Sequence, residues 1–376
     1  MQSIKKYNLP YSTEDIRFVQ NHIEHVLQKG YLTDGGEYVA RFEDFWAHIV
    51  GEGQAVAVNS CTTALEIILR TIGVKGASVV VPTYTFFATP MSVHHAGGTV
   101  IYADISKETL SLSLESVKGA VRDDTKAVII VHVGGIVSNE IDEIRNFCFK
   151  KGIFLIEDAA CAHGASFKGR NVGTLGHYSA FSFHHSKVLT TGEGGMIVTS
   201  EPSIEKMKRL RALGLDRDIN NWEVFELGNN YKMSEITAVL GLLHCQKSDD
   251  IFNERRQLAE YYDREIEFNN PYQKFEIPVD TTSAYYKYII LAENEHDKKH
   301  FTDTLKMKYD IDLPPTVYDY MCHEQKINSK IKHVCSSEFH NAREMMERNI
   351  CLPMYCGLAE DQRKYIVESV NEVING

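Results

Sequence analysis

A lysine lies in a part of the sequence where a charged amine is costly to bury. Lys187 follows an apolar run that ends at Phe183 and precedes the glycine-rich residues 192–195. Burial would lower the pKa of this lysine, and an amine of that kind can form a Schiff base with a carbonyl compound. The glycines allow the backbone to turn tightly beside a ligand. The alternative is a loop lysine whose charged end reaches solvent.

Two acids follow the apolar strand that we predict over residues 152–156. They are Glu157 and Asp158, which places a carboxylate at the carboxyl edge of a sheet, where α/β proteins bind ligands. Such a carboxylate can pair with a pyridinium nitrogen and preserve the electron sink of a pyridoxal ring. The alternative is an aspartate that caps the next turn. Because Lys187 follows after one further predicted strand, the pair favours a cofactor site.

A phosphate site is predicted where residues 59–64 join a short strand to a helix that begins near Thr63. Free N–H groups and hydroxyls at a helix N-terminus bind phosphate, although Ser and Thr also occur there as plain caps. Ser182 can add a hydroxyl to the same phosphate. The aromatic turn at residues 82–87 can supply a ring that stacks on pyridoxal, or its rings can belong to the core.

Alternating strands and helices must position these groups. Ser12 and Gly30 are typical of the start and the end of a first helix, and further helices are predicted over residues 63–70 and 141–150. The pattern indicates a mostly parallel sheet with helices on both faces. The predicted strands cover residues 55–58, 78–81, 99–102, 127–133, 152–156, 178–183 and 195–199.

The alternation stops near residue 247. We predict a large cofactor-binding α/β domain over residues 1–246, including the N-terminal helical segment, and a smaller C-terminal α+β domain over residues 247–376. The second domain mixes charged helices, such as residues 253–268, with a strand at residues 284–291. A chain of 376 residues exceeds the usual size of one domain.

Composition excludes several classes of function. The 43% hydrophobic and 24% charged residues are typical of a soluble enzyme, and the net charge of −11 argues against nucleic-acid binding. A local basic pocket for an anionic small substrate stays possible. The eight cysteines form no CxxC pair, so we predict no metal site and no thiol redox motif. The apolar runs are too short to span a bilayer, which favours a cytoplasmic protein.

These segments resemble the sugar aminotransferases of the DegT/DnrJ/EryC1/StrS family, which have the fold-type-I aspartate aminotransferase architecture. The resemblance implies a three-layer sandwich with a mostly parallel central sheet, and pyridoxal 5′-phosphate as cofactor. It runs over nearly the whole chain and is most specific around Asp158 and Lys187. The matching segments are residues 30–36, 60–64, 85–88, 157–164, 181–195, 228–235 and 352–353.

The resemblance also assigns site residues. Lys187 would carry the cofactor, Asp158 would pair with its pyridine nitrogen, and Phe86 would stack on the ring. Asn230 would reach a phosphate in the neighbouring subunit, which implies a homodimer with shared active sites. The phosphate would be held by Ser182, Thr62 and the backbone of Cys61.

Three residues depart from the family pattern. Cys61 stands where Gly or Ala is usual, which is tolerable if its N–H alone is used. Cys161 stands where Gln or His commonly lies near the phenolic oxygen of the cofactor, and it is a poorer hydrogen-bond partner. Lys232 stands where Arg is frequent and exchanges bidentate recognition for a point charge.

The resemblance implies ping-pong transfer of an amino group from an amino acid, L-glutamate, to a nucleotide-linked keto-deoxy sugar for surface polysaccharide, such as lipopolysaccharide, or antibiotic sugars. Alternative acceptors are free keto sugars, such as an oxidised 3-deoxy-octulosonate of lipopolysaccharide or a keto-inositol. A sugar dehydratase would have histidine in place of Lys187, and a degenerate binding protein would have lost Lys187 or Asp158. Candidate substrate contacts are Tyr31, His184, His185, Lys232, Tyr318 and His323.

Overall fold

An eight-stranded sheet forms the centre of the computed structural model, which describes residues 4–33, 36–51, 53–216 and 223–376. The strands are β1 (Gln54–Val58), β2 (Ser78–Pro82), β3 (Thr99–Ala103), β4 (Thr125–Val131), β5 (Phe154–Asp158), β6 (Ser166–Phe167), β7 (Arg170–Asn171), β8 (Tyr178–Ser182), β9 (Gly195–Thr199), β10 (Tyr272–Lys274), β11 (Thr281–Thr282), β12 (Tyr288–Ala292), β13 (His333–Cys335) and β14 (Asn349–Leu352).

Helices cover the faces of this sheet and fill the C-terminal part of the chain. The α-helices are α1 (Thr13–Lys29), α2 (Glu37–Val50), α3 (Cys61–Ile72), α4 (Ala88–His95), α5 (Leu114–Ala120), α6 (Ile141–Lys151), α7 (Ile204–Arg211), α8 (Glu235–Gln246), α9 (Ser248–Glu265), α10 (Glu295–Tyr309), α11 (His340–Arg348) and α12 (Glu360–Asn375). Short 3-10 turns occupy Val133–Gly135, Cys322–Glu324 and Lys326–Ser329.

The order of strands in the large sheet is β1-β9-β8-β5-β4-β2-β3-β13. All neighbours are parallel except that β9 runs antiparallel to both β1 and β8. Alternate residues of β2 and β4 enter opposite cores, so Val80 and Val128 face one side while Val79 and Ile129 face the other. The predicted three-layer architecture with a mostly parallel sheet is confirmed.

The N-terminal helix begins and ends at the residues that the sequence indicates. The Ser12 hydroxyl accepts from the Asp15 N–H (3.1 Å), and the Asp15 carboxylate accepts from the Ser12 N–H (2.8 Å). Gly30 ends α1 with a φ of 77°, a conformation that glycine adopts without a Cβ penalty. Asp34 and Gly35, which belong to the family-like segment 30–36, lie outside the described residues.

The C-terminal part packs around a smaller antiparallel sheet, β10-β12-β14, with its own hydrophobic core. Its first helix, α9, begins five residues earlier than predicted, and β12 begins at Tyr288 rather than at residue 284. Strand β13 belongs to the C-terminal part of the sequence but pairs in parallel with β3 at the edge of the large sheet. The division at residues 246 and 247 falls between α8 and α9 and stays a prediction.

Within the described residues, no helix is both long and apolar enough to cross a bilayer. In the same part of the chain, no group of three or more His, Cys, Asp or Glu side chains is placed to hold a metal ion.

Close packing of α2 against α8 generates a stability prediction. A Cβ on Gly241 would lie 2.7 Å from the Phe42 ring, which is fully buried. We expect Gly241→Ala to lower the free energy of unfolding by about 1–3 kcal/mol, since overpacking outweighs the gain in helix propensity. The control is Gly119→Ala on α5, where nothing lies within 4 Å. Equal stability of the two variants in chemical denaturation would contradict this packing.

Candidate active site

A cavity of about 830 Å³ lies beside the carboxyl ends of β4, β5 and β8. Its wall brings together residues that are far apart in the sequence and that we predicted as one site. The predicted cofactor residues in the wall are Cys61, Thr62, Phe86, Asp158, Cys161, Ser182 and Lys187. The predicted substrate residues in the wall are His184, His185 and Tyr318.

Asp158 is the last residue of β5, and its carboxylate is held on both oxygens. Oδ2 accepts from the Thr89 hydroxyl at 2.7 Å, and Oδ1 accepts from the Ala160 N–H at 3.2 Å. Burial raises the pKa of Asp158 above its ordinary value, while these two hydrogen bonds and the Lys187 charge act to lower it. A buried, oriented carboxylate of this kind suits a cationic ring nitrogen as partner.

Lys187 lies in the turn that follows β8. Its Nζ donates to the sulfur of Cys161 at 3.2 Å and lies 4.8 Å from the centre of the Tyr286 ring. Burial acts to lower the pKa of Lys187, but Cys161 and Tyr286 act in the opposite direction and outweigh burial. The pKa of Lys187 therefore lies above its ordinary value. The expectation that Lys187 has a lowered pKa is therefore wrong, although burial by itself acts in the expected direction.

The start of α3 forms one corner of the cavity. The Ser60 hydroxyl accepts from the Thr63 N–H at 3.2 Å, and the first N–H groups of a helix have no partner within it. Gly195 packs directly on this turn, since a Cβ there would lie 2.6 Å from the Cys61 nitrogen. Ser182 pairs with Gly195 in the ladder between β8 and β9, so its side chain belongs to the same corner of the cavity.

Phe86 contributes an aromatic face to the wall. Its ring is 48% exposed and lies 4.1 Å, centre to centre, from the ring of Phe87. A half-exposed apolar ring at a cavity is available for stacking. The cavity thus offers an amine, a carboxylate, helix N–H groups and a ring, which match the aldehyde, ring nitrogen, phosphate and ring of pyridoxal 5′-phosphate.

The predicted substrate residues in the wall differ in their surroundings. The rings of His184 and His185 lie 4.1 Å apart, and His184 Nδ1 lies 2.9 Å from the Ser186 hydroxyl. Burial and the neighbouring His185 lower the pKa of His184, which favours its neutral form. The Tyr318 ring packs edge-on against Tyr84 at 5.4 Å.

Four predicted residues lie outside the wall, as far as the described residues define it. Tyr31 is 58% exposed, and Asn230 is exposed on the surface. Lys232 is half-buried. His323 Nδ1 lies 2.7 Å from the Thr83 hydroxyl. These side chains are not brought to Lys187 within one protomer.

Several wall residues had no signal in the sequence analysis. Thr89 donates a hydrogen bond to Asp158. It lies one residue beyond segment 85–88, and extending that family-like segment would have been the only way to predict Thr89 from the sequence. No local sequence pattern marks Tyr286 as a site residue, because its contact with Lys187 joins two distant parts of the chain. The wall also includes residues 6–11, which precede α1, and the buried Arg255 of α9.

Comparison with known proteins agrees with this geometry. Residues 14–371 match the DegT/DnrJ/EryC1/StrS aminotransferase family. The chain belongs to this family. A DegT/DnrJ/EryC1/StrS protein is an aminotransferase whose cofactor is pyridoxal 5′-phosphate, and the set of groups around the cavity fits that cofactor.

Individual members of the family are similar over most of their length. GDP-perosamine synthase of Escherichia coli O157:H7 is 29% identical over 355 residues, which cover 94% of each chain. UDP-4-amino-4,6-dideoxy-N-acetyl-beta-L-altrosamine transaminase of Campylobacter jejuni is 34% identical over 269 residues, 70% of this chain and 71% of the relative. The crystal structure of DesV from S. venezuelae superposes with a TM-score of 0.91 at 25% identity, covering 100% of both chains.

The hydrogen bond from Thr89 generates a pH prediction. Asp158 must be ionised to pair with a cationic ring, and it loses its charge as the pH falls through its pKa. Thr89→Val removes a bond that lowers this pKa. We therefore expect the acidic fall of kcat/KM to move to higher pH by about one unit, since a bond to a charged group is worth about 1.5 kcal/mol.

The control for this prediction is Ser92→Ala. The Ser92 hydroxyl lies one turn further along α4 and donates to the Thr89 carbonyl oxygen at 2.7 Å rather than to Asp158. The pH–rate profile of this variant should keep its acidic limb near that of the unchanged protein. Identical profiles for Thr89→Val and the unchanged protein would show that the Thr89 bond has no effect on Asp158.

Proposed function

We propose that this chain is a sugar aminotransferase that moves an amino group from L-glutamate to the carbonyl carbon of a nucleotide-linked keto-deoxy sugar. One observation carries the proposal. The Lys187 amine, the buried Asp158 carboxylate and the N-terminus of α3 face a single cavity of about 830 Å³. These are the kinds of group that a phosphorylated pyridine aldehyde needs around one cavity.

Each cofactor contact is assigned to a residue at the cavity. Lys187 would hold the cofactor covalently, and Asp158 would pair with its ring nitrogen. Phe86 would stack on the ring. The Ser182 hydroxyl, the Thr62 hydroxyl and the N–H of Cys61 would hold the phosphate. When bound, pyridoxal 5′-phosphate supplies the electron sink that stabilises a carbanion on the amino donor.

The protein's own part in the reaction is proton transfer and orientation. Lys187 Nζ would act as the general base and acid that moves the proton of the donor's α-carbon. The Cys161 sulfur and the Tyr286 ring flank this nitrogen and limit its positions. Thr89 and the Ala160 N–H orient the Asp158 carboxylate, so that little reorganisation is needed during the reaction.

The acceptor is proposed from the relatives and from the size of the cavity. Two similar proteins are named for products that carry GDP or UDP. The cavity lies near the upper end of the range for small-molecule sites and extends from Lys187 to residues 6–11. We assign His184, His185 and Tyr318, which line the cavity, to contacts with the sugar. The amino sugar formed would serve a surface polysaccharide or an antibiotic.

A homodimer with shared active sites is part of the proposal. Asn230 is exposed and lies outside the wall of its own protomer's cavity. Apolar side chains are exposed beside it, with Leu227 86% and Val224 66% accessible. Exposed apolar clusters mark association surfaces. We assign Asn230 to a phosphate in the partner's site, and Tyr31 and Lys232 to the partner's substrate.

Lys187→Ala tests the cofactor assignment. We expect the purified variant to show neither the yellow absorbance band of the bound cofactor nor turnover, because the covalent bond cannot form. Glutamate should bleach the band of the unchanged protein. Lys247→Met is the control, since Lys247 also lines the cavity but pairs with Asp15 at 2.6 Å, and it should keep the band. Turnover by Lys187→Ala would sink the assignment.

A panel of keto sugars tests the acceptor. We expect kcat/KM to be at least about 100-fold higher for a nucleotide-linked keto-deoxy sugar than for the same sugar without its nucleotide, because remote contacts contribute to the transition state. Equal values would favour a free keto sugar instead. Loss of a sugar hydroxyl without amine transfer would indicate a dehydratase, and no reaction with any sugar would indicate a binding protein.

A further inference from the structure

A thiol and an amine are in contact at the centre of the site. Cys161 Sγ lies 3.2 Å from Lys187 Nζ, and Cys161 is 7% exposed. Cys161 follows β5 and Lys187 follows β8, and these strands are parallel neighbours, so both turns leave the sheet at the same edge. The fold itself therefore brings Cys161 and Lys187 together, and the contact is not a chance meeting of flexible surface side chains.

The same cavity gives small solutes access to both atoms. Cys161 and Lys187 both belong to its wall. An oxidised cysteine sulfur is electrophilic and reacts with the nearest nucleophile. Cys61 is a second thiol in the wall, but burial raises its pKa well above the ordinary value, which disfavours its thiolate. Lys187 is thus the nucleophile that lies against the sulfur.

We propose that Cys161 and Lys187 form a covalent modification site at which hydrogen peroxide creates a reversible sulfur–nitrogen bond. Peroxide first oxidises the thiol by two electrons, giving a sulfenic acid and one water. The Lys187 ammonium releases one proton to solvent, the amine so formed attacks the sulfur, the S–N bond forms, and the hydroxyl leaves with a second proton of the nitrogen as water. A thiol reductant breaks the S–N bond and restores both side chains.

Formation of the S–N bond depends on whether Lys187 is already bonded to the cofactor. The nitrogen that carries the cofactor cannot also attack sulfur, so this part of the inference rests on the proposed function of Lys187. With the cofactor in its amine form Lys187 carries no covalent partner, and the structure places its nitrogen 3.2 Å from the sulfur. Oxidative linkage should therefore occur in the amine-loaded protein and be blocked in the aldehyde-loaded protein.

Peptide mapping by mass spectrometry tests the proposal on protein loaded with pyridoxamine 5′-phosphate or with pyridoxal 5′-phosphate. After hydrogen peroxide, we expect the amine-loaded protein to yield joined Cys161 and Lys187 peptides, about 2 Da lighter than their sum, which dithiothreitol separates. The aldehyde-loaded protein should yield at least about ten-fold less. Cys161→Ser should remove the joined peptides, and the matched change Cys61→Ser should retain them.

The outcomes are distinguishable. A disulfide between Cys161 and Cys61, a sulfinic acid at Cys161, or an unmodified Cys161 in the amine-loaded protein would each overturn the proposal. Because these results are read from the unchanged protein, they do not depend on the folding of a variant. Equal linkage with both cofactor forms would support the modification site but contradict the proposed role of Lys187 as the residue that carries the cofactor.

Discussion

The pairing of β5, β8 and β9 is the constraint on which the rest of the site depends. Asp158 is registered against Ala180 in β8, and Ser182 is registered against Gly195 in β9. Gly195 in turn packs on the first residues of α3, where any larger side chain would collide with the backbone. Backbone hydrogen bonds therefore set the distances between the Asp158 carboxylate, the Ser182 hydroxyl and the N-terminus of α3. Short side chains are then sufficient to bring these groups into the cavity.

Electrostatics adds a second constraint, because two groups that prefer water are buried a short distance apart. The Asp158 carboxylate is compensated by a hydroxyl and a backbone N–H, and the Lys187 ammonium by sulfur and an aromatic face. These partners stabilise the charged forms in the chain alone. A cationic ring and a carbonyl group would satisfy the same two residues more fully, which accounts for a site arranged around a cofactor.

The departures from the family pattern have different consequences. In the proposed phosphate site Cys61 would contribute only its backbone N–H, so that a change of its side chain there would matter little. Cys161 replaces an amide or imidazole by a polarisable, oxidisable atom in direct contact with the central lysine. Asn230 and Tyr31 lie on the surface, and the cavity around Lys187 is lined without them.

The sequence by itself determined the strand and helix pattern, the Ser12 and Gly30 caps, and the two central residues Asp158 and Lys187, because burial periodicity and turn chemistry are local. The sequence also indicated Ser182, the phosphate segment 59–64 and the aromatic turn 82–87. The resemblance selected Cys61 and Phe86 within those segments, and the structure places Ser182, Cys61 and Phe86 in the same cavity. Only the tertiary structure decided that β9 is antiparallel, that Thr89 holds Asp158, and that Tyr286 and Cys161 flank Lys187. Those contacts join distant segments, so they arise from packing that no local pattern encodes.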